Sequence, residues 1–318
     1  MDFIKKDKVV VLIKEEVTYG TDVAPVGANA LLTRDFTLNP IEGSEVQRQL
    51  DRPGMGASPS LFAGQHMTCS FKVEAAPSGT IGVPPAYAAL FLAGQHSETI
   101  IQDAVPSPIE VDYAFVSSGF SSATLYANLD GILYRLLGLR GAVGYEFEGG
   151  GVPYFTFSGI ALLTLPSDTA TPADVDYSAF ELPELAEADT VEEIKLGGTD
   201  LVLRNWSANA PGNVNFRDLP GQKEVVTAGD RNFRSRLEFM MPTLAAFNPV
   251  ALKKAQTLVA FSLLHGSTTA GKQWHFTSPA VQVVGASMGE HQGERTWQVD
   301  LLHTESAAGD DEMLLKFL

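Results

Sequence analysis

The sequence predicts a mainly β protein with minor α: two tandem β-sandwich or barrel units, each with one flanking helix. Three observations carry this. Candidate strands with period-two alternation dominate the chain. Gly 29 and Pro 18 punctuate them at turns. The order strand, loop, strand, helix, strand, hairpin occurs twice, the mark of an internal duplication.

The elements justify themselves in order. Gly43-Ser-Glu-Val-Gln-Arg48-Gln-Leu50 opens a polar segment, and Gly212-Asn-Val-Asn-Phe-Arg217-Asp-Leu219 repeats its Gly, Arg and Leu at one offset. A strand alternates at Phe71-Lys-Val73 in one half and at Leu237-Glu-Phe239 in the other. A helix follows proline in each: Pro85–Leu92 stops at Gly94, and Pro249–Ala255 follows Asn248 as its N-cap. Strands resume at Ala123–Tyr126 and Leu258–Phe261. Hairpins close both halves, Val143–Phe147 with Phe155–Phe157, and Val281–Val283 with Trp297–Leu301. The first half carries extra material between helix and strand, 95–118.

Between Asp168 and Glu193 nine acids and no Lys or Arg stand beside Pro166, Pro172 and Pro183. A self-repelling, proline-stiffened stretch reads as an extended connector. The expected division is therefore 1–165, a first unit with an N-terminal arm; 166–197, the acidic connector; and 198–318, a second unit with a C-terminal arm. Each unit has a normal size for one core.

Lys+Arg 22 against Asp+Glu 38 gives a net charge of −16, with 45% hydrophobic residues. That excludes wholesale disorder and phosphate gripping by a basic surface. The longest apolar stretch near the start, Val9–Ile13, is too short to span a membrane and lacks a signal-peptide pattern. The expectation is a soluble chain, cytosolic where it is made. A single cysteine, Cys69, leaves no intrachain disulfide and no cysteine-cluster metal site.

Catalytic patterns are thin. The six histidines form no His-x-x-x-His or His-Glu-x-x-His pair, so His66 and His265 read as loop or sheet-edge residues. There is no Gly-x-Ser-x-Gly elbow, and Cys69 sits on a strand candidate as an inert thiol. Gly138–Gly144 lacks the strand-turn-helix context of a phosphate loop. Gly309-Asp-Asp-Glu312 has too few ligands at calcium-loop spacing and reads as a solvated turn. The carboxylates of the connector have no walls to shift a pKa. Neither a catalytic, a metal nor a cofactor site is expected, and the protein reads as no enzyme.

Glu15-Glu-Val-Thr-Tyr-Gly-Thr-Asp22, Val26-Gly-Ala-Asn29, Asn39-Pro-Ile-Glu-Gly43 and Arg48–Pro59 resemble the N-terminal signature of major tail tube proteins of long-tailed, non-contractile bacteriophages (siphophages). The resemblance runs on through Gly64-Gln-His66, Ser117–Phe120, Asp130-Gly131, Arg140-Gly141 and Pro153. In the second half it includes Arg217-Asp-Leu219, Pro242-Thr-Leu244 and Leu263–Ser267. It implies a β-sandwich with one helix that completes a larger barrel in an assembled ring, here in a tandem variety. Three copies of a doubled unit make a pseudo-sixfold ring, which closed symmetry permits, and the sequence leaves three or six subunits per ring open.

The implied function is structural. Stacked rings form the virion tail tube, assembled in the bacterial host cytoplasm, through which the genome is ejected. The implied partners are the chain itself, a tape-measure protein, and tail terminator and tip proteins. DNA passes without specific binding, and no membrane anchor or cofactor is implied. The alternative is a tandem β-sandwich module that binds a surface or carbohydrate; Trp206, Trp274 and Trp297 do not cluster in sequence to form a sugar platform.

Two loops are candidates for contact between subunits or rings: 45–64, with Arg48, Asp51, Arg52 and Met55, and 215–229, with Arg217, Asp218, Lys223 and Glu224. Mixed charges on mobile loops set register more than affinity. The apolar ends are candidate docking arms, Val9, Val11 and Ile13 at one and Leu314 and Phe317 at the other. They fall outside the paired core elements, so each is expected to dock on a neighbour or on its own domain.

Overall fold

Two runs of strands repeat one antiparallel order. The first run contains β1 (Val9–Glu15), β2 (Ala30–Leu31), β3 (Arg34–Val46), β4 (Leu61–Glu74), the helix α1 (Ala88–Ala93), and β5 (His96–Gln102) with β6 (Pro108–Phe115). β7 (Ala123–Leu129), β8 (Ile132–Glu148), β9 (Tyr154–Leu162) and the short β10 (Ser167–Asp168) complete it. The second contains β11 (Val191–Leu196), β12 (Thr199–Asp200), β13 (Leu203–Ala208), β14 (Val214–Leu219), β15 (Gln222–Thr227) and β16 (Arg234–Met240). The helix α2 (Pro249–Ala255), β17 (Leu258–His265), β18 (Trp274–His291), β19 (Glu294–His303) and β20 (Leu314–Phe317) follow. This computed structural model describes residues 3–102, 108–209, 211–227 and 229–318. The middle of the 95–118 segment, 103–107, lies outside the described residues.

Pairing in the first half runs β3-β4-β9-β8-β7-β1-β2. In the second half it runs β13-β16-β19-β18-β17-β11-β12. Even a bulge recurs. β8 gains an extra residue between Leu136 and Leu139 opposite β7, and β18 gains one between Ser278 and Val281 opposite β17. A bulge bends its strand, so the 17-residue β8 pairs β7 along its first part and β9 along its second, and turns a corner of the sandwich.

Local chemistry sets the elements. In β4 Phe71 and Val73 are buried while Lys72 is partly exposed, the alternation of a half-buried strand. The β7–β8 hairpin turns on Asp130-Gly131, both at positive φ, as a two-residue hairpin of this type requires. α1 ends at Gly94, where a Cβ would lie 2.6 Å from Val143 Cγ2, so no side chain fits. α2 begins at Asn248, whose side chain accepts a 2.9 Å bond from the Ala251 amide.

The two halves are not separate bodies. β8 pairs β13 through Tyr145–Ala208, Glu146–Ser207, Phe147–Trp206 and Glu148–Asn205. β20 lies between β18 and β6 and joins the β5–β6 hairpin of the first half to the second. The aromatic core crosses with them: Phe155 meets Trp274 at 6.0 Å, and Tyr145 meets Phe276 at 5.3 Å.

Three expectations need correction. The terminal segments are core strands: β1 pairs β7 with Val11 and Ile13 buried and Val9 partly buried, and β20 buries Phe317 while Leu314 pairs Thr277 and Ala114. Long-range pairing removes the exposed edge that their apolarity alone implied. The segment 166–197 contains β10 and β11, and β11 pairs β17, so its last part belongs to the second sheet. Glu193 there is held below the ordinary carboxylate range by bonds from Lys195 at 2.7 Å and Ser262 at 2.6 Å. Third, 215–229 is no mobile loop; it contains most of the regular β14–β15 hairpin.

Candidate assembly interface

The signature residues at the N-terminus do mechanical work. The Glu16 carboxylate is buried and accepts bonds from Gly20 N at 2.7 Å, Ser122 Oγ at 2.6 Å, Thr124 Oγ1 at 2.8 Å and Gly138 N at 2.8 Å. Four donors satisfy a charge that burial would otherwise penalise. Asp22 accepts the Tyr126 hydroxyl at 2.6 Å. Tyr19 reaches the second half: its hydroxyl accepts from Val225 N at 2.5 Å, and its ring lies 4.6 Å from the Arg140 guanidinium. Burial pushes the Tyr19 phenol up.

Arg140 on β8 ties three segments together. It donates to Glu224 Oε1 at 3.0 Å, to the Val225 carbonyl at 2.7 Å, and to the carbonyls of Phe120 and Ser121 at 3.1 and 3.3 Å. Its side chain is 12% exposed, so the pair with Glu224 is worth more than an ordinary surface bridge. Val225 is fully buried. His66 of β4 stacks on Phe216 at 4.9 Å. The β14–β15 hairpin of the second half therefore lies flat on the first-half sheet. Arg217 pairs Glu224 at 3.0 Å and Lys223 pairs Asp218 at 3.3 Å across its own ladder. Arg217, Asp218, Lys223 and Glu224 thus stabilise a docked ribbon within the chain.

The matching hairpin of the first half does the opposite. β3 and β4 run past the body and remain paired out to Glu45–Phe62 and Val46–Leu61. From Ser44 to Ala63 nearly every residue is exposed, including Arg48, Asp51 and Arg52, and Met55 is exposed completely. Val46, Leu50, Leu61 and Phe62 are exposed apolar side chains on this arm. Among the described residues Arg52 bonds only the Gly56 carbonyl, within the loop itself.

Among the open strand edges of the described residues are those of β3 and β18. β3 pairs only β4, and β18 beyond Gln282 pairs only β19. Unpaired edges are templates for another strand.

Elsewhere the cysteine and several histidines are enclosed within the chain. Cys69 is buried and its thiol is pushed up to about 12. His265, at the end of β17, is buried beside the Glu184 carbonyl. His303 sits between Ser235 Oγ at 2.7 Å and Ser278 Oγ at 2.9 Å, with its pKa lowered to about 3 by burial. This Ser-His-Ser set is buried, so no substrate reaches it. Gly138–Gly144 lies within β8. Asp310 and Glu312 pair Arg231, while Asp311 accepts from Ser306.

Open edges and an exposed apolar hairpin on a β-sandwich are surfaces that another strand can pair with or cover. A family model described as phage tail tube protein matches residues 6–231. The chain belongs to that family, and its place is the virion tail. No curated protein matches the chain. The match takes in the N-terminal signature, the whole first run of strands, and the second run through the β14–β15 hairpin.

Proposed function

We propose that the chain polymerises as stacked rings into the tail tube of a long-tailed, non-contractile phage, the conduit for genome ejection. It acts as a scaffold rather than an enzyme, and each half is one tail-tube unit, so that three copies close a pseudo-sixfold ring. Assembly takes place in the host cytoplasm, with tape-measure, terminator and tip proteins setting length and ends. The observation that carries this reading is the pair of open edges on β3 and β18, one on each half of a duplicated fold whose other two edges, on β8 and β13, are already joined. Repeating that joint around a ring closes both of these edges.

The lumen follows from space. The sheet β3-β4-β9-β8-β13-β16-β19-β18 carries its second layer, with β7, β1, β17 and β11, on one face; the wider outside of a ring accommodates that layer. The opposite face, over whose β4-β9-β8 part the β14–β15 hairpin lies, then lines the channel. Its cations stand beside acids: Lys72 pairs Glu146 at 2.6 Å, Arg204 pairs Glu238 at 2.8 Å, and Arg236 lies 3.8 Å from Asp300. Cations already paired offer DNA phosphates little to hold, which suits transit. A ring reconstruction with a lumen lined mainly by unpaired Lys and Arg would overturn this assignment.

Electron microscopy of the purified full chain tests the function: long tubes of constant diameter are expected. Deleting Asp51–Ser58, exposed but for the half-buried Ser58 and outside the strands, should leave a folded protein that no longer forms tubes. Monomers of the wild-type chain that never polymerise but bind a glycan array would support a surface-binding module instead.

A further inference from the structure

The joint between the two halves of one chain is a template for the joint between chains, and the duplicated registers transfer it residue by residue. β4 and β16 pair β9 and β19 so that Phe71–Phe157 corresponds to Leu237–Val299. In the same frame Tyr145–Phe155 corresponds to Met288–Trp297, which makes Tyr145 of β8 the counterpart of Met288 of β18. The bulges that recur in β8 and β18 fix the frame independently. Ser207–Arg236 and Ala208–Ser235 likewise correspond to Thr37–Ser70 and Leu38–Cys69, so Ala208 of β13 is the counterpart of Leu38 of β3.

Within the chain Tyr145 faces Ala208 and Glu146 faces Ser207. Their counterparts, Met288 and Gly289 on one open edge and Leu38 and Thr37 on the other, have no such partner. Met288 is 60% exposed where Tyr145 is buried, the mark of an apolar position awaiting cover. The hairpins agree with the strands. The β14–β15 ribbon continues from β13 onto the first half and is docked there; the β3–β4 arm continues from β3 and covers nothing in its own chain.

We infer that a second copy of this chain adds antiparallel to β18 through its β3, with Met288 opposite Leu38 and Gly289 opposite Thr37, and lays its β3–β4 arm over β16, β19 and β18. The inference rests on the tail tube reading and specifies its partner and register. The contact is heterologous, so it closes only by rotation around a ring. Beyond Thr37 the bulge at Asp35 re-aims β3, so these two pairs define the register.

The test uses full-length chains carrying Leu38→Cys with Met288→Cys. Directly opposed residues of an antiparallel ladder have Cα atoms about 4.5–5.5 Å apart, within disulfide range. Leu38 lies directly opposite native Cys69 in the β3–β4 ladder, so every variant, single or double, is made in a Cys69→Ala background, which removes the competing intrachain disulfide. Oxidising assembled tubes with copper phenanthroline should give covalent dimers and then closed trimers on a non-reducing gel. Either single variant should give monomer, as should Leu38→Cys with Ser287→Cys, whose side chains point to opposite faces. Tubes that form normally yet yield no cross-link overturn this register and leave the tail tube reading standing. Wild-type protein that forms no tubes overturns the tail tube reading itself. Met288→Cys alone adds a measurement that does not depend on the double variant folding. Its maleimide labelling should fall at least tenfold on assembly, and unchanged labelling in tubes counts against the joint.

Discussion

The two halves share a strand order but fill the same core positions with different chemistry. Cys69, Leu136 and Ala161 of the first half correspond to Ser235, Ser278 and His303 of the second, by the same registers. The first set is buried and apolar. The second is a buried hydrogen-bonded chain, Ser235–His303–Ser278, which ends on the Glu312 carbonyl. Topology is held by pairing register and recurrent bulges, while the side chains between the layers need only fit and be satisfied.

The helices differ in the same spirit. α1 has no side-chain cap, and Leu90, Phe91 and Ala93 are buried. α2 is capped by Asn248, carries Lys253 and Lys254 in its last turn where the helix dipole favours cations, and buries only Pro249. One helix is held by its packing and the other by its ends.

The largest test of this contrast is Phe91→Ala. Phe91 packs on Tyr113 at 4.7 Å and Phe155 at 5.3 Å, and its truncation should cost about 3–5 kcal/mol in urea unfolding. Lys253→Ala on exposed α2 should stay within about 0.5 kcal/mol. Equal losses at both helices would break the comparison.

His303→Ala comes next. It leaves the buried Ser235 hydroxyl without a partner and Ser278 with the Glu312 carbonyl alone, and about 2–4 kcal/mol should be lost. The reverse-polarity change Cys69→Ser at the matching first-half position should cost about 1–3 kcal/mol by burying an unpartnered hydroxyl. The pH dependence sharpens this. His303 is held neutral, with its pKa lowered to about 3, and burial lowers His96 to about 4. The unfolded chain binds protons first, near the ordinary imidazole value of 6.5, so stability is full above that pH and falls as pH drops from 6.5 toward 4. His303→Asn should flatten part of that slope in unfolding measured between pH 7 and 4.5, leaving the shares of His96, His265 and His275, which burial also lowers. A slope unchanged by the substitution would show that the two histidines are not both titrating on unfolding.

The smallest effect is Asn248→Ala, which removes the bond to the Ala251 amide and should lower stability by about 1 kcal/mol in thermal unfolding. No change there would mean that the proline after it sets the helix start alone.

Local elements were legible and distant partners were not. The sequence 249–255 reads as a helix because its cap and its proline are adjacent in the chain, and Phe71-Lys-Val73 reads as a strand because alternation is local. The β14–β15 hairpin was missed although Val214, Phe216 and Val225 alternate around Pro220-Gly221; the mixed charges that suggested a loop are cross-strand pairs. Val9–Ile13 and Leu314–Phe317 show their apolarity in sequence, but their partners on β7, β18 and β6 lie more than a hundred residues away or on another segment. The division of β8 between two halves depends on such pairing too. The exposed arm at Arg48–Met55 was legible as polar and long, whereas the open edges of β3 and β18 emerge only from the long-range pairing of the strands around them.

The β8–β13 joint has a kinetic consequence. Because one polypeptide carries both strands, this contact forms at an effective concentration set by the chain between them rather than by the amount of free protein, about millimolar for short flexible links. In a three-chain ring, half of the six joints are made before any two molecules meet. Ring closure is then a third-order encounter instead of a sixth-order one, and three fewer molecules surrender translational and rotational freedom. Nucleation should therefore respond much less steeply to dilution than for a ring built from single units.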